Sequence, residues 1–169
     1  MSASGGAHRG PVVGVGALVI KDGCVLLIQR GRFPGVGLWA IPGGKQNFGE
    51  SLQQTAAREI LEETGVLIRA GNPIYCFEAL FDREGRELEP PIDSGSQAEA
   101  AERVRDSTGG QVATAEHHFV VIDLAAEYLS GEATPGDDAA DAGWFSPADA
   151  ADLPLQPATR RFLEHVEFL

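Results

Sequence analysis

The stretch that decides the fold is GKQNFGESLQQTAAREILEETGV, Gly44 to Val66. Its second half predicts a helix over 51–64. On a helical wheel Ala56, Ala57, Ile60 and Leu61 share one side, and Glu59, Glu62 and Glu63 lie mostly on the other. Gly65 reads as the helix stop. The acids are a local conflict. Glu59 and Glu63 are neighbours on a helix, and like charges at i,i+4 destabilise it by roughly 0.2–0.5 kcal/mol. Their place near the negative end of the helix dipole costs a further ~0.3–1 kcal/mol at an exposed site. Carboxylate oxygens suit hard cations such as Mg²⁺ or Mn²⁺. One helical face presents all three acids to a cluster of such ions, which removes the repulsion. Gly43 and Gly44 just before let backbone approach phosphates and cations closely.

Working outward, VVGVGALVI (12–20) is a continuous apolar, β-branched run that predicts a strand buried on both faces. KDG (21–23) signals a hairpin into a second strand, CVLLIQR (24–30). GRFPGVG (31–37) reads as loop, LWAIP (38–42) as a short strand and GGKQNFGE (43–50) as a second Gly-rich loop. After the helix, VLIRA and PIYCFEALFD (66–82), HHFVVIDLAAEYL (117–129) and GWFS (143–146) read as strands, with Trp144 and Phe145 packing. SPADAADLP (146–154) predicts a capped helical turn. PATRRFLEHVEFL (157–169) predicts a helix with Phe162, Val166 and Leu169 on its apolar face. Strands mixed with a few helices give a single α/β domain over 12–169, behind a flexible tail over 1–11 that includes a solvated His8. Residues 83–114 carry little apolar periodicity and read as an unusually long loop, functional or disordered, with AEAAERVRD as a candidate short surface helix.

The 169 residues suffice for a real core, and the net charge of −12 excludes a nucleic-acid polymer as an expected partner. A small phosphorylated ligand stays open, because a bound divalent cation reverses the charge locally. Cys24 and Cys76 stand in apolar runs and read as reduced core thiols. With no signal-peptide core and no apolar run near ~18 residues, a cytoplasmic protein without a membrane partner is expected.

From Gly44 the spacing runs Gly, five residues, Glu50, seven residues, Arg58-Glu59-Ile60, any residue, Glu62-Glu63, any residue, Gly65-Val66. A chance match at a given start is of order one in 10⁸ on average composition. This is the signature of the Nudix hydrolases, and the chain resembles that MutT-like family with a box over 44–66. The flanks VGVGALVIKDGCVLLIQRGRFPGVGLWAIPGG and HHFVVIDLAAEYLSGEATPGDDAADAGWFSPADAADLPLQPATRRFLE resemble a subgroup of short bacterial ADP-ribose pyrophosphatases.

The resemblance implies a Nudix α/β/α sandwich, a mixed β-sheet between helices with the box as loop–helix–loop. It implies two or more Mg²⁺ (or Mn²⁺) ions held by Glu59, Glu62, Glu63 and the Gly43 carbonyl, and an Arg58 that orients a glutamate by a salt bridge. Glu50 is implied to bear on the metal site or its water network. The reaction implied is metal-assisted water attack on a phosphorus of a pyrophosphate bridge, ADP-ribose giving AMP and ribose 5-phosphate. The alternative is a MutT-like (deoxy)nucleoside triphosphate pyrophosphohydrolase that sanitises the nucleotide pool. A catalytically silent ADP-ribose-sensing domain is a third reading, against which the intact box acids count. The base is either Glu59 or an acid of the 131–145 loop, Asp138 before Asp137, unless that loop is a solvated turn. Arg30 and Arg32 are candidates for substrate phosphate, or else exposed loop charges. Phe48 is a loop anchor or a base-stacking wall, and Asn47 stands where many relatives carry an acid. Relatives of that subgroup pass directly from a DREGR-like turn to the HHFVV-like strand, so the resemblance implies a flexible insertion over about 87–113, which is a lid, a dimer contact or a mobile loop. Relatives are often homodimers, which leaves that state open.

Overall fold

A computed structural model describes residues 10–83, 87–88, 115–136 and 138–169. The proposed tail with His8, nearly all of the 87–113 insertion, and Asp137 therefore lie outside the described residues. The described residues fall into two compact units, one within 13–77 and 121–169, the other within 10–12 and 78–120.

The larger unit holds the helices found among the described residues. Strand β1 (Val12–Lys21) turns at Asp22-Gly23, both at positive φ, into β2 (Cys24–Arg30), as a two-residue type I′ hairpin requires. Short strands β3 (Trp39–Ala40) and β4 (Gly43–Lys45) follow, then α1 (Leu52–Thr64) and β5 (Leu67–Phe81). After β6 (Glu87–Leu88) come β7 (His117–Ser130), β8 (Ala139–Phe145), α2 (Pro147–Asp152) and α3 (Pro157–His165). The strands run β3-β2-β1-β7-β5, with β4 on β1 and β8 on β2.

Alternation along β1 sets the layers. Val15, Ala17 and Val19 pack with Leu26 and Leu124 against Ala56 and Ile60 of α1. On the opposite face Val25 and Leu27 pack with Trp39, Ala150 of α2 and Leu163 of α3. This is the expected α/β fold, a mixed sheet between helices. Trp144 meets Tyr128 edge-on and Phe145 meets Trp39, as predicted for packing aromatics. Phe162 is fully buried and stacks on Tyr75. In the smaller unit, β6 pairs with the end of β5, Phe81 meets Phe119 edge-on, and Arg83 pairs with Glu116 at 2.9 Å. Among the described residues no helix is long and apolar enough to cross a membrane.

Several local expectations are corrected. β4 forms inside the stretch read as loop, because Gly14, Val15 and Gly16 of β1 pair with Lys45, Gly44 and Gly43. Glycine carries no strand preference of its own, so the pairing is tertiary. β5 runs unbroken through two expected strands, and β8 begins four residues before GWFS. β1 is buried only in its middle, with Val12 and Ile20 exposed. Both cysteines are free, but neither is a core thiol: Cys24 is half-buried and Cys76 exposed. On α1, Leu61 is exposed and Glu63 buried, the reverse of the wheel's assignment.

Candidate active site

Helix α1 is closed at its start by side chains and at its end by a glycine, both supplied by the sequence. Ser51 accepts from the Gln54 N–H while the Gln54 side chain accepts from the Ser51 N–H, a capping box. Gly65 stops the helix in the left-handed conformation and donates its N–H to the Leu61 carbonyl. The segment after β7 then takes the free carbonyls at this end. The Thr134 N–H donates to Thr64 O and the Gly136 N–H to Glu63 O, each at 2.9 Å. A Cβ at Gly136 would stand 2.2 Å from Glu62 O, so only glycine comes this close. The acidic loop is therefore tied to α1 through its backbone, while Glu132 and Asp141 stay exposed to solvent. Its backbone caps α1 and carries Asp138 to the glutamates.

Arg58 is the hub of the acidic face. Its fork donates to both oxygens of Glu50, at 2.8 and 2.9 Å, and Nη1 reaches Glu59 at 2.7 Å and Glu62 at 3.2 Å. Nη2 also donates to the Lys45 carbonyl. Glu50 further accepts from Thr55 Oγ1 and from the backbone and side chain of Asn47. The Arg58 guanidinium, with these donors, holds the Glu50 carboxyl well below the usual carboxylate range. The glutamate that Arg58 orients most firmly is thus Glu50. Asn47 serves the same corner.

Glu63 has the opposite environment. It is 8% exposed and accepts from the Gly43 N–H at 2.9 Å. Burial pushes its carboxyl up to about 7; the Gly43 N–H opposes this, nearby Glu59 and Asp138 add to it, and Arg30 opposes it. Gly43 thus meets the site through its N–H. Glu59 lies against Gly44, where a Cβ would stand 2.3 Å from the carboxyl carbon. Any side chain there would displace Glu59.

Glu59, Glu62, Glu63, Asp138 and Arg32 line one open cleft of about 360 Å³. Arg32 pairs with Asp138 at 2.7 Å across its rim. Arg30 is half-buried and donates to the Pro34 carbonyl at 2.5 Å. Burial lowers its pKa, against the pull of Glu63 and Asp138. The structure thus brings together Arg32, Arg58, Glu59, Glu62, Glu63 and Asp138. It does not bring in Phe48, which is fully exposed and anchors nothing.

The donor set fits hard divalent cations by its chemistry. It offers carboxylates on one side of α1, a buried acid among like charges, and a glycine cradle under Glu59. Among the described residues the acids do not converge as around a bound ion. Arg58 draws Glu59 and Glu62 toward itself, and Gly43 holds Glu63. Sequence reading missed the reach of Arg58 across to the loop, and it missed Asp123, although a lone acid inside the apolar run FVVIDLA is a visible signal.

A family model described as the NUDIX domain matches residues 10–166, and the chain belongs to that family. It is 28% identical over 144 residues to a protein of Methanocaldococcus jannaschii named ADP-ribose pyrophosphatase, covering 85% of this chain and 65% of that one. The chain therefore spans just under two thirds of that relative's length. A crystal structure of a MutT Nudix hydrolase from Burkholderia pseudomallei is similar at 31% identity and a TM-score of 0.65, covering 94% of this chain and 99% of that one. An oxidized purine nucleoside triphosphate hydrolase of Danio rerio is 45% identical over 51 residues, 30% of this chain and 33% of that one.

Proposed function

We propose that this protein hydrolyses the pyrophosphate bond of a nucleoside diphosphate derivative, with ADP-ribose as substrate and AMP and ribose 5-phosphate as products. The observation that carries the reading is the single cleft in which three box glutamates, Asp138 and Arg32 face one another. The resemblance to the archaeal ADP-ribose pyrophosphatase supplies the substrate.

Glu59, Glu62 and Glu63, with the Gly43 backbone, would hold Mg²⁺ or Mn²⁺. When bound, such ions neutralise charge on phosphoryl oxygens and acidify a water. The chain's own residues do the rest. Arg58 fixes Glu59 and Glu62 on the cleft wall. Arg32, exposed at the rim, offers a planar fork to a phosphate. Water attacks phosphorus, its oxygen forms the new P–O bond, and the bridging P–O bond breaks. The water's proton passes to Asp138 or Glu59. Positioning and electrostatics supply most of the acceleration in such a transfer.

The test is a substrate panel in Mg²⁺. AMP and ribose 5-phosphate from ADP-ribose are the expected products. Release of pyrophosphate from (deoxy)nucleoside triphosphates, with ADP-ribose untouched, would establish the MutT-like reading instead. That second reading draws on the names of the Burkholderia structure and the Danio relative. Tight ADP-ribose binding without turnover in either Mg²⁺ or Mn²⁺ would point to a sensing domain.

A further inference from the structure

Asp123 stands in the middle of β7 and is only 4% exposed. Among the described residues its carboxyl has no hydrogen-bond or ion-pair partner, and burial alone pushes it up to about 7. A largely buried carboxyl without such a partner is destabilising, so its presence here calls for a use. The chain also makes room for it. A Cβ at Gly16 on β1 would stand 2.3 Å from Asp123 Oδ1 and 3.3 Å from Ile41 Cγ2.

The strand faces show where this room lies. Leu124 and Val15 belong to the cluster under α1, so their neighbours Asp123 and Gly16 take the other face of the sheet. Gly16 pairs with Gly43, and Val15 pairs with Gly44, beneath Glu59. Among the described residues β4 pairs only with β1 and so forms an edge. The paired backbones of β1 and β4, bare of side chains at Gly16, Gly43 and Gly44, lie between Asp123 on one face and Glu59 on the other, and Ile41 and the Pro42 carbonyl also border the Gly16 position. Gly43 itself binds Glu63.

We propose that Asp123 is a specificity-determining residue whose carboxyl holds a hydrogen-bond donor on the organic part of a nucleotide that passes across β4, its pyrophosphate lying against Glu59 and Glu63. This rests on the nucleoside diphosphate reading above. The donor is a nucleobase amino group or a ribose hydroxyl, the two groups of such a substrate that present an N–H or O–H to an acid.

The experiment compares wild type, Asp123→Asn and Asp123→Leu. It measures kcat/KM for ADP-ribose, for its inosine analogue (which lacks the amino group) and for its 2′-deoxy analogue. Thermal melting is followed at pH 8 without ligand. Both variants should melt no lower than wild type, because a buried charge is gone. Asp123→Leu should lower kcat/KM for ADP-ribose by about tenfold or more, mainly through KM, and Asn less. The analogue that lacks the relevant donor should be a poor substrate of wild type and lose nothing further in the Leu variant. Three results overturn the proposal: unchanged kinetics in a folded Leu or Asn variant; a marked fall in melting temperature, which gives the carboxyl a structural partner; or a wild type indifferent among the three substrates. Should the Leu variant not fold, the Asn variant and the wild-type analogue series decide. A wild type that cleaves no nucleoside diphosphate derivative overturns the functional reading itself, a distinct outcome.

Discussion

Glu50 and Glu63 lie in the same box segment, yet their surroundings are opposite. Glu50 accepts from Arg58, Thr55 and Asn47, which together favour its charged form. Glu63 is buried, accepts from one backbone N–H, and stands near Glu59 and Asp138. The first carboxylate belongs to the scaffold: it locks the loop before α1 to the helix. The second is held in an environment that disfavours its charge, the condition expected of a group whose partner arrives with the ligand. The like-charge conflict in REILEETG is thus resolved by Arg58 at one end, and under the proposed function a cation would resolve it at the other.

The largest effect should come from breaking the Glu63 side. Glu63→Gln should cut turnover in Mg²⁺ by about 10³-fold while the protein without metal melts no lower than wild type at pH 8, since a buried charge is removed. A steady-state assay and a melting curve check both halves. Next comes the Glu50 side. Arg58→Lys keeps the charge but loses the fork, so Glu59 and Glu62 lose their fixed positions. Activity should fall by about 10–100-fold, as for outer-shell partners of ligating groups. Here, unlike at Glu63, the melting temperature should fall as well. An Arg58→Lys protein as stable and active as wild type would erase the distinction drawn between the two corners. The smallest effect is expected at the rim. Arg32→Gln should raise KM by up to about tenfold with little change in kcat. Its melting temperature should stay near wild type, because an ion pair this exposed contributes little.

How much of this was legible depends on how local the determinants are. The span of α1, its Gly65 stop and the grouping of Glu59, Glu62 and Glu63 follow from residues within one helix, and periodicity reads them. Placing Glu63 inside required more. It stands three residues after Ile60, so it shares the border of the buried face, and a two-sided wheel assigns it to the wrong half. Arg58 reaching Glu50, β4 forming on β1 through glycines, and the acidic loop capping α1 with backbone N–H groups are contacts between distant segments. They leave no period in the sequence. Phe48 carried a strong side-chain signal and is nonetheless fully exposed, because apolar character alone does not say which way a loop residue points.

Without metal, Glu63 is kept charged only at a cost, and a cation bound as proposed would relieve it. Its folded-state pKa is raised, so its contribution to stability is fully present below its unfolded value near 4.5 and is lost as pH rises toward about 7. Asp123 acts in the same direction from its unfolded value near 3.8. Glu50, with a depressed pKa, acts oppositely, and only as pH falls below about 4.5. The direct measurement is urea unfolding in EDTA from pH 5.5 to 8.5, for wild type and Glu63→Gln, repeated with Mn²⁺ at pH 8.5. Wild type should lose stability as pH rises toward 7 and regain it with Mn²⁺. Glu63→Gln should show a shallower loss, the remainder being Asp123's share, and little response to Mn²⁺. Equal slopes and equal Mn²⁺ stabilisation in the two proteins would contradict the account.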